Sequence, residues 1–119
     1  MSIKSKMTEK TLKDFEKITG TRLTLGKLLW AIRDADDISQ VDFSETLQIS
    51  KQHLCDIEHG RKSVSPKLAA KYAKILGYSK EQFIRLALQD IVDREGLDVR
   101  VEITLIKRRK KYDDSRVTA

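Results

Sequence analysis

The sequence predicts a mainly α-helical fold: five short helices in a bundle, preceded by one N-terminal helix and followed by a single C-terminal β-strand. Three observations carry this. Apolar residues recur at i, i+3 and i+4 in successive segments, the spacing of one buried helix face. Ser or Thr stands ready as N-cap at Thr8, Ser50, Ser65 and Ser79, and Gly20, Gly77 and Gly96 stand where helices stop. At Asp98 the period changes from that of a helix to two, the mark of a half-buried strand. At 119 residues the chain divides into an N-terminal extension (1–22), a helical domain (23–96), a strand (97–106) and a basic tail (107–119).

In chain order, Thr8 to Thr19 is the first candidate helix, with Leu12, Phe15 and Ile18 along one side. Thr24 to Asp36 comes next, and Leu25, Leu28, Leu29 and Ile32 give it a buried face. Trp30 falls roughly opposite that face, so the N-terminal helix, through Leu12 or Phe15, or a second subunit is expected to cover it. Then come two short helices, Gln40 to Leu47 and Lys51 to about His59, joined by a tight turn at Gln48-Ile49-Ser50. Ser65-Pro66 is an N-cap and N1 pair. It opens a helix to Leu76 with Leu68, Ala69, Tyr72, Ala73 and Leu76 inward. Ser79 to Gln82 is a capping box, and it opens a last helix with Phe83, Ile84, Ala87, Leu88 and Ile91 on its apolar side. In the strand, Val99, Val101, Ile103 and Leu105 alternate with Asp98, Arg100, Glu102 and Thr104. A run of five cations, 107–111, and a polar end expected to be disordered complete the chain.

The stretch Ile38 to Gly60 organises the rest. Leu54 and Ile57 share one face of the second short helix, which must be buried. The opposite face carries Gln52, Cys55, Asp56 and His59, with Lys51 at its open N-terminal end. A helix dry on one side and rich in hydrogen-bonding groups on the other suits a DNA major groove.

This stretch resembles the helix-turn-helix of the phage Cro and CI repressor family, also called the XRE family. The resemblance rests on Ile38-Ser39-Gln40, Phe43-Ser44, Leu47, Ile49-Ser50, Leu54 and Ile57-Glu58-x-Gly60, and it spans roughly Leu23 to Leu88. It implies a compact five-helix bundle and a structural ion pair between Arg33 and Glu58 that fixes the first family helix against the recognition helix. It also implies that Gln40 touches phosphate and braces the recognition helix. The chain departs from the family in the turn, where Gln48 stands in place of the usual glycine; that position needs φ > 0, so backbone strain is expected there.

Composition and charge narrow the function. No apolar run approaches the length of a membrane span, and residues 1–10 lack the apolar core of a signal peptide. A cytoplasmic protein is the simplest reading. One cysteine permits no intrachain disulfide and no four-cysteine metal site. His53 and His59, with Cys55 between them, do not make a helical i, i+4 ligand pair, so neither metal nor other cofactor is expected. No nucleophile has a base nearby and no glycine-rich phosphate loop is present, so the chain does not read as an enzyme.

The net charge of +6 is unevenly spread: residues 50–80 hold seven Lys/Arg against two acids, whereas 24–49 hold two against five. The basic block coincides with the recognition helix and the loop and helix after it, as phosphate binding requires. Gln40, Ser50, His53, Arg61 and Lys62 are expected to position the protein on the DNA backbone. Lys51, Gln52 and Asp56 are expected to read base edges, since Lys can donate to guanine, Gln can pair with adenine and Asp can accept from cytosine. Cys55 and His59 share that surface.

The expected function is a sequence-specific transcriptional regulator, a repressor that binds a palindromic operator in double-stranded DNA as a homodimer. The strand supplies the dimer contact through Val99, Val101, Ile103 and Leu105, because a solitary strand needs a partner. The rival expectation is an antitoxin that binds a protein toxin and represses its own operon, since many antitoxins resemble the same family.

Overall fold

The computed structural model describes residues 22–106, which form five helices. They are α1 (Leu25–Ala35), α2 (Gln40–Leu47), α3 (Lys51–Glu58), α4 (Pro66–Leu76) and α5 (Lys80–Arg94). The predicted N-terminal helix at 8–19 and the basic tail at 107–119 lie outside the described residues.

Each helix starts where a hydroxyl side chain caps it. Thr24, Ser39, Ser50, Ser65 and Ser79 all have extended backbone, and each hydroxyl accepts from the N–H three residues on. The helices after the turn end at glycines in the left-handed region, Gly60, Gly77 and Gly96. At Gly60 and Gly96 the next residue's N–H reaches back to the carbonyl five residues earlier (Arg61 to Asp56, 2.8 Å; Leu97 to Val92, 3.1 Å), which satisfies carbonyls the helix end would leave open.

One core holds the bundle. From α1 come Leu25, Leu28, Leu29 and Ile32, from α2 Phe43 and Leu47, and from α3 Leu54 and Ile57. α4 adds Ala69, Tyr72, Ala73 and Leu76. Each large aliphatic side chain so buried contributes about 1.5–3 kcal/mol. α5 is turned relative to the expected face: Phe83, Leu86 and Ala87 are buried, while Ile84, Leu88 and Ile91 are only half-buried. Both sides of this helix carry apolar residues, so periodicity alone does not fix its rotation. Leu68 is likewise exposed rather than inward, and Trp30 is 44% exposed.

The expected C-terminal strand is not formed among the described residues; 97–106 carry no regular secondary structure. A strand exists only as part of a ladder, and the described residues offer no second strand. The Gln89 side chain takes that place instead: its amide donates to the Val99 carbonyl (2.9 Å) and accepts from the Val101 N–H (2.8 Å). The period-two pattern survives only in part, with Val101 and Ile103 half-buried and Val99 and Leu105 exposed.

Candidate nucleic-acid interface

α2 and α3 are joined by three residues whose backbone is tightly determined. Gln48 ends α2 in the left-handed conformation (φ 65°, ψ 40°), so the strain expected of a non-glycine there is present. Its N–H donates to Glu45 (3.1 Å), and the Ile49 N–H donates to Ser44 (3.0 Å). Ser50 then caps α3 by accepting from the His53 N–H at 3.0 Å.

The inner side of α3 is fixed in three ways. Leu54 and Ile57 are buried in the core. Gly26 of α1 lies directly against the Ile57 carbonyl, so close that a methyl group at 26 would overlap that oxygen. Glu58, nearly fully buried, closes the helix in a small network. Arg33 Nε and Nη2 donate to its two oxygens (2.8 and 3.0 Å), and Gln40 Nε2 donates to Oε1 (2.9 Å). The third arm of the guanidinium, Nη1, donates to the Ile38 carbonyl at 2.9 Å. The hydrogen bonds to Glu58 hold the Arg33 guanidinium further into its charged range, against the opposing effect of burial. A bidentate pair of this kind sets orientation as well as energy. It joins α1, the start of α2 and the end of α3 at one point.

The outer side of α3 is polar. Lys51 and Gln52 are exposed at the N-terminal end, and His53 is half-buried. Gln52 Nε2 donates to Asp56 Oδ1 at 3.1 Å, and Arg61 Nε donates to the same oxygen at 2.9 Å. The Arg61 hydrogen bond holds the Asp56 carboxyl below the usual carboxylate range, with a smaller contribution from Gln52. Arg61 also reaches the Cys55 sulfur through Nη2 (3.6 Å). His59 Nδ1–H donates back to the Cys55 carbonyl at 2.9 Å, which leaves Nε2 as the ring's outward nitrogen. Arg61 and Lys62 come after Gly60 on an exposed loop. That loop is tied from below by Arg94 of α5, whose Nη2 donates to the Gly60 carbonyl at 2.8 Å.

All ten residues assigned to this surface from the sequence therefore gather on α3, its flanking loop and the start of α2. Their surroundings differ. Gln40 faces inward to Glu58, so its amide braces α3. Asp56 sits between two donors. Lys51, Gln52, Arg61 and Lys62 are exposed. Two contributors have no signal in the sequence. Gly26 is an ordinary residue in a helical run until α3 is placed against it, and Arg94 acts across 34 residues. Among the described residues no group of three His, Cys, Asp or Glu side chains is placed to hold a metal ion.

The family model described as Helix-turn-helix matches residues 31–83, from the last turn and a half of α1 to the start of α5. That span contains the turn, the recognition helix and the Arg33–Glu58 pair. Residues 31–83 are a helix-turn-helix domain of the Cro/CI type. The helix-turn-helix domain is a DNA-binding one, and α3 is the second helix of its motif. No curated protein and no solved structure matches the chain. No helix of the described residues is long and apolar enough to cross a membrane.

Proposed function

We propose that this chain is a transcriptional repressor that binds a palindromic operator as a homodimer and reads the major groove with α3. One observation carries the reading. The inner side of α3 is immobilised by Leu54, Ile57, the close approach of Gly26 and the Arg33–Glu58–Gln40 network, while its outer side presents Lys51 and Gln52 exposed and Arg61 held in place. Such a helix carries donors and acceptors to base edges without having to order itself on binding. In this reading Lys51 and Gln52 face the bases. Ser50, His53, Arg61 and Lys62 meet phosphates on either side, and Gln40 touches phosphate while holding Glu58.

Dimerisation follows from size. One recognition helix spans too few base pairs for a specific site, and two-fold symmetry doubles the reading frame with half-sites about one helical turn apart. The test is selection from random DNA duplexes. An enriched inverted repeat with half-site centres about 10 base pairs apart, or a multiple of that, is the expected result. Failure to enrich any motif would remove the repressor reading and leave the rival one, an antitoxin acting through protein contact.

A further inference from the structure

Past Leu97, the segment to residue 106 is hydrogen-bonded to the bundle through one buried side chain among the described residues. The Gln89 amide, 4% exposed, donates to the Val99 carbonyl and accepts from the Val101 N–H. Its Nε2 also donates to Asp93 Oδ1 at 3.0 Å, so its orientation is fixed. A carbonyl and the N–H two residues later face one amide in this way along the edge of an extended chain. Gln89 thus stands where a neighbouring strand's peptide would. It occupies the edge that carries the backbone groups of Val99 and Val101. In an extended chain the groups of the alternate residues face the other edge, here those of Asp98, Arg100, Glu102 and Thr104. Along the same stretch Leu97, Val99 and Leu105 are 53%, 53% and 59% exposed.

We infer that a second copy of this chain pairs antiparallel with that outer edge, across a two-fold axis at Val101. Charge and the apolar pairs together select occupant and register: an axis at Val99 would also set opposite charges together, Asp98 against Arg100, but would leave Ile103 and Leu105 beyond the paired segment. An axis at Arg100 would set Arg100 against itself and Asp98 against Glu102. An axis at Glu102 would set that carboxylate against its own copy. An axis at Val101 sets Arg100 of each copy opposite Glu102 of the other, twice, and at the hydrogen-bonded positions the outer edge provides. The same register places Val101 against Val101, Val99 against Ile103, Leu97 against Leu105 and Asp98 against Thr104. Opposite charges directly across a ladder stabilise it and like charges oppose it. Neither Arg100 nor Glu102 has an ion pair among the described residues. This sequence therefore complements itself, which selects a copy of the chain over an unrelated sheet edge. The inference goes beyond the proposed function by naming the surface and its register, and it does not depend on DNA.

Its test uses the full chain with Cys55→Ser, so that the only thiol is the one introduced. Val101→Cys places two sulfurs across a non-hydrogen-bonded pair, with Cα atoms about 4.5 Å apart, within disulfide range. Mild oxidation is expected to give a covalent dimer. Val99→Cys, whose counterpart is Ile103, is expected to give none. In sedimentation, Arg100→Glu is expected to weaken the dimer about tenfold by turning both attractive pairs repulsive, and adding Glu102→Arg to restore it. Both side chains are exposed, and unchanged helical circular dichroism verifies that each variant folds. Equal cross-linking at 99 and 101, or a dissociation constant indifferent to the charge reversal, overturns the inference. So does a chain that stays monomeric at every concentration, as one waiting for a foreign sheet edge would.

Discussion

Gly26 and Gln48 show how single residues set the position of the recognition helix. Gly26 allows α1 to touch the α3 backbone at Ile57. Alanine has the better helix propensity by about 1 kcal/mol, but its methyl group cannot enter without moving one helix against a backbone atom that cannot yield. Overpacking of that kind costs about 1–3 kcal/mol or more. Gly26→Ala is therefore expected to lower stability in urea titration despite the propensity gain, and an unchanged or raised midpoint would show that the two helices can separate freely. Gln48 presents the opposite case. Its left-handed backbone (φ 65°) costs about 1–2 kcal/mol, and glycine removes that strain while giving back about 0.5–1 kcal/mol in unfolded-state entropy. Gln48 is exposed, so its side chain contributes little packing. Gln48→Gly should raise stability by about 0.5–1 kcal/mol with DNA affinity unaltered; a loss of stability would mean that the side chain contributes something its exposure conceals.

Among elements, α3 has its two ends held by different chemistry. The Arg33–Glu58 end is buried. The Gln52–Asp56–Arg61 end is open and depends on one carboxylate. An aspartate on a DNA-facing helix repels phosphate, and here it accepts from Gln52 and Arg61 through a single oxygen. With one amide hydrogen of Gln52 committed to Asp56, the other hydrogen and Oε1 remain for an adenine edge. Asp56 acts in this arrangement as a positioning residue. Because the carboxyl is held below its usual range, the brace is present throughout neutral and mildly acidic pH and disappears only as pH falls through that lowered value. On the cognate site Gln52→Ala is expected to cost ~1–3 kcal/mol. Asp56→Ala should remove much of the same discrimination while non-specific affinity rises. If Asp56 works through Gln52, the double variant binds little worse than Gln52→Ala alone, whereas additive losses in binding titrations would make Asp56 an independent reader. The same element shows what the sequence makes legible. Ser50, the Leu54–Ile57 face, the turn and the Arg33–Glu58 pair are read from local spacing and from the family pattern. The close approach of Gly26, the rotation of α5 and the replacement of a strand partner by Gln89 depend on how separate helices meet, and no local pattern reports that.

At the scale of the molecule the question is where its charge acts. Residues 50–80 hold seven cations and two acids, and both acids are already engaged, Glu58 with Arg33 and Asp56 with Arg61. The positive field over the recognition helix is thus opposed by no free carboxylate of that block. The acidic residues of 24–49 lie mainly at the α1–α2 junction and on α2. A second basic block, residues 107–119 with six cations and two acids, comes directly after the segment inferred to pair with a second copy. In a dimer joined antiparallel at 97–106, two such tails would leave from opposite ends of the paired segment. α5 is tied to both regions, since Gln89 holds the segment after it and Arg94 holds the Gly60 loop. Tails that begin there can reach further phosphates without altering which bases are read. Truncation after Ile106 is therefore expected to leave the selected motif unchanged and to flatten the dependence of log K on log salt, by about 0.9 for each phosphate the tail had neutralised. Measuring affinity for the cognate duplex across a salt series decides it: an unchanged slope would mean the five cations at 107–111 never reach the DNA, and a changed motif would mean they read it.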